Sequence, residues 1–213
     1  MVDVLSAAEL WVLSYAVEAK MPVGIYGSPN FGHLLNCNAS RFTIDQVSQA
    51  IRSLFESKLV ALGQESPASR GLTDESSVGD LDAKLREHRP FVSYLWLTPR
   101  GGASWEGYVQ PDWSKFILEE RDEHGRVVVI TCQHEGLIAR YRHAMQEALR
   151  VDQLEASEDA VGSWAATYWK TLMGGKRVQF AQPSRELQWP EIASNGYSAM
   201  CSLSRLWRQV GSR

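Results

Sequence analysis

The chain has 213 residues, of which 44% are hydrophobic and 22% charged, with 16 Gly, 8 Pro and 3 Cys; this globular composition excludes a collagen-like, coiled-coil or disulfide-scaffold protein. A formal net charge of −3 supplies no global pull toward nucleic acid or an anionic membrane. The unusual feature is an aromatic load of 8 Trp, 7 Tyr and 6 Phe, since large rings bury much apolar area wherever they reach a core.

The start, MVDVLSAAELWVLSYAVEAK, carries no basic run, and Asp3, Ser6, Glu9, Ser14 and Glu18 interrupt its apolar residues. It fits neither a signal peptide nor a membrane span, so a soluble, cytoplasmic protein without membrane contact is expected. Cys37, Cys132 and Cys201 are odd in number and far apart, which suits a reducing compartment and small core residues.

Ser6 and Glu9 have capping-box spacing, and Leu10, Leu13 and Val17 follow at helical intervals; a first helix is predicted at about 6–20, ended by Met21-Pro22. The Gly-, Asn- and Ser-rich stretch 23–40 reads largely as loop, with a short helical turn at His33-Leu34-Leu35. Thr43 and Gln46 make a second capping box, flanked by Phe42 and Val47 at hydrophobic-staple positions. The stripe Ile44, Val47, Ile51, Leu54 and Phe55 then predicts a helix at 43–57. LVALG at 59–63 and FVSYLWLT at 91–98 read as strands. The polar segment between them is too long for a tight turn and contains a short helix at Asp80–His88. Thr98-Pro99 caps a further helix, lined by Trp105, Tyr108 and Val109 and ending before Pro111. Close packing is the reason expected for Gly101 and Gly102 inside it.

SKFILEER and RVVVITC around DEHG predict a β-hairpin at about 114–132. Leu137, Ile138, Tyr141, Met145, Ala148 and Leu149 predict an amphipathic helix at 135–150. The acidic DQLEASED reads as a connection. In SWAATYWKTLMGGKRVQFA a strand is predicted at 177–181 after a Gly-Gly turn, while Trp164–Leu172 is compatible with strand or helix. Met200, Leu203, Trp207 and Val210 predict a last helix at 197–210.

FTIDQVSQAIRSLFESKLVAL and YLWLTPRGGASWE resemble the recognition helix with first wing strand, and the second wing strand with closing helix, of the winged helix-turn-helix superfamily. The resemblance covers about residues 5–110. It departs from the family pattern in a poorly marked helix between Phe31 and Asn38, and in a long wing excursion at about 64–90. It implies a domain class used both for reading DNA and for protein contacts. The expected fold is α+β: a winged-helix-like domain over 1–110, then a small α+β domain over 111–213 with a β-hairpin and packed helices.

Turning the apolar stripe of 43–57 inward leaves Asp45, Gln46, Gln49, Arg52, Ser53 and Glu56 outward. Gln46, Gln49, Arg52 and Ser53, with Arg86 and Arg89 from the wing excursion, form the candidate set for contacting nucleic acid or a partner. Against DNA stand the two acids and the charge balance: residues 1–110 hold 9 Lys and Arg against 12 Asp and Glu, and residues 111–213 hold 13 of each. DNA affinity rests largely on neutralised phosphates.

His33, Cys37, Cys132 and His134 are ligand types that zinc accepts, but neither pair has finger spacing, so no metal is assigned. Cys132 and His134, two apart on a strand, share a face for structural reasons. Gly174-Gly175-Lys176 lacks phosphate-loop spacing. Asp112, Glu119, Glu120, Asp122 and Glu123 read as solvated carboxylates. With no catalytic constellation or cofactor motif, the expectation is a non-catalytic regulatory or protein-interaction protein with a protein partner. A DNA-binding transcriptional regulator is the first alternative and an immunity-type neutralising partner of another protein the second. The Asp80–His88 segment or the last helix offers a face to a second copy, leaving the oligomeric state open.

Overall fold

A computed structural model describes residues 4–27, 42–66, 71–74, 81–86, 93–122, 127–149, 155–181 and 194–208. The chain is α+β and divides into two compact units. The first is Met1–Val109 together with Thr167–Trp169, and the second is Gln110–Ala166 with Lys170–Arg213.

In the first unit, α1 (Ala7–Ala16) begins at the Ser6–Glu9 capping box: the Glu9 amide donates to Ser6 Oγ at 3.2 Å and the Ser6 amide to Glu9 Oε2 at 2.7 Å. Each bond satisfies an amide near the helix start. The helix ends four residues before the predicted Lys20. Its terminal carbonyls are taken by side chains from far along the chain: the Tyr168 hydroxyl donates to Ala16 O at 2.7 Å, and Trp169 Nε1 to Val17 O at 2.9 Å. Met21–Pro22 then forms a short edge strand, β1, where a proline is tolerated. Val23–Tyr26, predicted as loop, is a one-turn helix, α2, with all four residues buried; that burial supplies what its loop-like composition lacks. The His33-Leu34-Leu35 turn lies outside the described residues.

Helix α3 (Ile44–Glu56) carries the second capping box, with Thr43 as cap, and buries Val47, Ala50, Ile51 and Leu54. It packs on α1. The chain leaves it through Lys58, whose φ of 57° lies in the left-handed region, and enters β2 (Val60–Ser66). β3 (Gly71–Asp74), α4 (Leu81–Arg86), β4 (Ser93–Leu97) and α5 (Pro99–Val109) follow. The sheet is antiparallel in the order β1-β4-β2-β3, with Met21 opposite Leu95 and Val60 opposite Leu97. Thr98 ties the end of β4 to the start of α5: its hydroxyl donates to Lys58 O at 2.7 Å and accepts the Gly101 amide at 3.1 Å. A Cβ on Gly101 would collide with the Leu59 carbonyl, and one on Gly102 with the Trp169 indole, so both glycines serve close approach. Trp105 is buried and its Nε1 donates to Ser14 Oγ at 3.0 Å. Tyr108, predicted to line the same apolar face, is instead exposed and accepts the Leu5 amide at 2.7 Å.

The second unit starts with a 3-10 turn at Trp113–Lys115, where a strand was predicted to begin, and continues into β5 (Leu118–Arg121) and β6 (Val127–Cys132). These two strands are antiparallel, with Leu118 opposite Thr131. After α6 (Glu135–Leu149), the acidic stretch read as a connection is an edge strand, β7 (Ala156–Ala160), exposed on both faces and paired with β10 (Lys176–Ala181). With no buried side, it has none of the apolar alternation by which strands are recognised. Within Trp164–Leu172, left open between strand and helix, no residue is helical: Trp164 and Ala165 end β8 (Ser163–Ala165), Thr171 and Leu172 begin β9 (Thr171–Met173), and 166–170 between them are in neither. The turn into β10 uses Gly174 and Gly175 at φ of 70° and 144°.

The four-stranded sheet runs β5-β6-β10-β7. Val128, Ile130 and Cys132 of β6 and Val178 and Phe180 of β10 share a core with Tyr141 and Met145 of α6. The predicted last helix is split into α7 (Ser194–Leu203) and a 3-10 turn at Leu206–Arg208. The break lets Trp207 stack on Trp113 at 4.7 Å and meet Phe116 edge-on at 5.0 Å, while its carbonyl accepts the Asp112 amide at 2.8 Å.

Candidate functional site

The outward face of α3 is the surface singled out by residue type. Its local geometry follows from the capped start and the buried stripe, which place Asp45, Gln46, Gln49 and Glu56 in solvent and leave Arg52 and Ser53 half-buried. Gln46 is occupied locally, its Oε1 accepting the Thr43 amide at 2.9 Å. Gln49 is the member of the set that is exposed and has no partner among the described residues. Ser53 bonds to Glu9. Burial acts to raise the Glu9 carboxyl, but the bonds from Ser53 and Ser6 outweigh it and hold the group below its ordinary value.

The arginines are engaged by acids on the neighbouring helix pair. α4 packs on α3, and three polar contacts join them. The buried Ser48 hydroxyl donates to Asp82, Arg52 lies 3.7 Å from the other Asp82 oxygen, and Arg86 donates to Asp45 at 3.1 Å. Ion pairs this exposed contribute little stability, but they neutralise charge where a phosphate-binding surface needs it unneutralised. Arg89 lies outside the described residues. Of the sequence-derived set, the structure thus brings Arg52, Arg86, Gln46, Gln49 and Ser53 onto one helix pair. The acids that neutralise it were missed at Asp82, whose only sequence signal is its place in the short helix.

The chemically reactive candidates resolve into structural roles. Cys132 is buried on β6, where burial pushes its thiol up and the nearby His134 and Gln133 backbone offsets this only in part. Its Sγ accepts the His134 amide at 3.3 Å. Of the five acids singled out in the sequence, three are paired: Asp112 with Lys115 at 2.8 Å, Glu119 with Arg121 at 2.5 Å, and Glu120 with Arg177 at 3.4 Å; Asp122 accepts the Val127 amide at 3.0 Å, and Glu123 lies outside the described residues. The bond to Lys115, aided by Ser114, holds the Asp112 carboxyl below its ordinary value. Glu119 also accepts the buried Tyr141 hydroxyl, and burial first, then that carboxylate, drives the Tyr141 phenol far upward.

Among the described residues no group of three or more His, Cys, Asp and Glu is placed to hold a metal ion; His33 and Cys37 lie outside them. No described helix is long and apolar enough to cross a membrane. Compared with known proteins, the chain matches no family model, no curated protein and no solved structure.

Proposed function

We propose that the chain is a regulatory or protein-interaction protein whose first unit is a winged-helix-like module working through protein contacts. The order α1, β1, α2, α3, β2, β4, α5, with β4 between β1 and β2, supports the winged-helix reading. In that reading α3 takes the recognition position, and β3 and α4 belong to an enlarged wing. The observation that carries the preference for a protein partner is the pairing of Arg52 with Asp82 and of Arg86 with Asp45. It leaves an exposed amide, Gln49, on a face whose arginines have their charge balanced. Such a face suits hydrogen bonding to a polar protein surface better than to a phosphate backbone.

The test is an anisotropy titration of the full chain against labelled duplex fragments from its own genomic neighbourhood, over a range of salt. The reading expects at most weak binding with no preference among sequences. Saturable, sequence-selective binding that weakens steeply with salt, and is lost in Gln49→Ala and Arg52→Ala, overturns it in favour of a DNA-binding regulator.

A further inference from the structure

The sheet of the second unit ends at β7, and its hydrogen-bond period tells which backbone groups that edge presents. The Asp122 amide donates to Val127 O at 3.1 Å beside β5 and β6, and the Val161 amide to Gly175 O at 3.0 Å beside β7 and β10. Carried through the registers of the four strands, both bonds give the same alternation. Ser157 and Asp159 are bonded to β10, and Ala156, Glu158 and Ala160 turn their N–H and C=O groups outward. Among the described residues nothing bonds to those outward groups, and all five residues of β7 are exposed. Neither proline nor a bulge interrupts the strand, and the short side chains of Ala156, Ser157 and Ala160 leave its backbone open to approach.

The side chains select which strand can pair there. Glu158 shares the α6 side of the sheet with Val178, and Arg142 of α6 meets it at 2.6 Å, so its charge is balanced. Asp159 lies on the other face. Arg177, opposite it across the ladder, is engaged by Glu120 at 3.4 Å. Asp159 and Glu155, just before β7, are exposed and have no hydrogen-bond or ion-pair partner among the described residues. A second β7 does not suit this edge: antiparallel registers centred on Ser157, Glu158 or Asp159 each set acid against acid, which is destabilising across a ladder. A strand with Lys or Arg on the face that meets Asp159, and short uncharged residues on the α6 side, suits both the backbone row and the charge.

We infer that the outer edge of β7 is a docking site for a basic β-strand of a partner protein, added antiparallel through main-chain bonds to Ala156, Glu158 and Ala160 with a lysine or arginine beside Asp159. This assignment goes beyond the α3 surface of the first unit and stands without it. The probe is a synthetic peptide of about 7 residues with blocked ends, alternating lysine and threonine. The control carries glutamate at every lysine position. Titrated into the full chain and followed by amide chemical shifts and hydrogen exchange, the lysine peptide should bind saturably and protect the amides of Ala156, Glu158 and Ala160. The glutamate peptide should not bind.

N-methylation of the peptide separates main-chain pairing from charge attraction in the wild-type chain. With the lysines beside Asp159, the threonine amides point at β7 and the lysine amides point away. Methyl groups on the threonine amides should weaken binding by at least ~10-fold, and on the lysine amides by no more than ~2-fold. Asp159→Lys should weaken binding by at least ~10-fold. Ala160→Pro deletes one outward donor where an edge tolerates proline and should weaken it without a charge change, with far-ultraviolet circular dichroism showing both variants folded. Equal binding of the lysine and glutamate peptides, no saturation up to ~1 mM, or the same loss from both methylated peptides overturns the assignment. Self-association that protects the same three amides without peptide gives the edge to a second copy of the chain and overturns it as well. None of these outcomes bears on the duplex titration.

Discussion

The indole nitrogen of Trp169 donates to the carbonyl of Val17 at 2.9 Å, across 152 residues of chain. Tyr168, next to it, accepts the Leu97 amide at 2.6 Å and donates to the Ala16 carbonyl at 2.7 Å. One dipeptide thus finishes α1 and fastens β4 within the first unit, although the strands that flank it belong to the second. Without these donors, the Ala16 and Val17 carbonyls at the end of α1 would need others.

Trp169→Phe keeps most of the ring but deletes the donor, and should destabilise the chain by about 1 kcal/mol. Trp169→Ala removes the packing as well, for a loss of about 3 kcal/mol. Both are read from urea unfolding of the full chain followed at a first-unit probe. Wild-type midpoints for the two variants would remove Trp169 from the account of how α1 ends.

Three glycines in α5 should respond differently to alanine. Gly107 has open space where a Cβ would go, so Gly107→Ala should stabilise the chain by about 0.5–1 kcal/mol through helix propensity. Gly102→Ala drives a methyl into the Trp169 indole and should cost about 1–3 kcal/mol. Gly101→Ala meets the Leu59 backbone carbonyl. In a Trp169→Ala background the cost at Gly102 should shrink while that at Gly101 persists. A double-mutant cycle with no coupling between 102 and 169 contradicts this packing.

The Glu9 carboxyl titrates below its usual 4.5 in the folded chain. Above that value the carboxylate is ionised both folded and unfolded, and its contribution to stability is fully present. As the pH falls through the lowered folded value, the carboxylate protonates and the contribution is lost. Glu9→Gln retains an acceptor for the Ser6 amide but does not titrate, so stability at acid pH should fall less steeply than in the parent. Ser6→Ala should cost about 1 kcal/mol at neutral pH by removing the cap. Identical acid-unfolding profiles for parent and Glu9→Gln would exclude this carboxylate as a contributor.

Cys132 is buried and its thiol is raised by that burial, so little nucleophilic thiolate is available at neutral pH. Iodoacetamide should modify it in urea but not in the native chain, as read by peptide mass spectrometry. Rapid native labelling at Cys132 would revive it as a reactive group.

Local grammar was legible wherever one residue answers another three or four positions away. The Ser6–Glu9 and Thr43–Gln46 boxes and the Thr98 cap appear where their spacing places them, because a helical turn brings those groups together whatever surrounds it. The outward set on α3 was legible by the same period. Its engagement was not: Arg86 meets Asp45 across 41 residues and Ser48 meets Asp82 across 34, separations to which no local period applies.

The sequence by itself determined the capped helices, the apolar strands and a charge balance without a strongly basic half. Tertiary structure alone decided that the acidic Ala156–Ala160 is a strand, since its pairing comes from β10 rather than from any face it buries. It likewise decided that the final helix breaks so that Trp207 can stack on Trp113, and that Trp169 belongs to the first unit. In each case the deciding partner lies far away in the chain, and side-chain periodicity carries information only about neighbours within a turn or a strand.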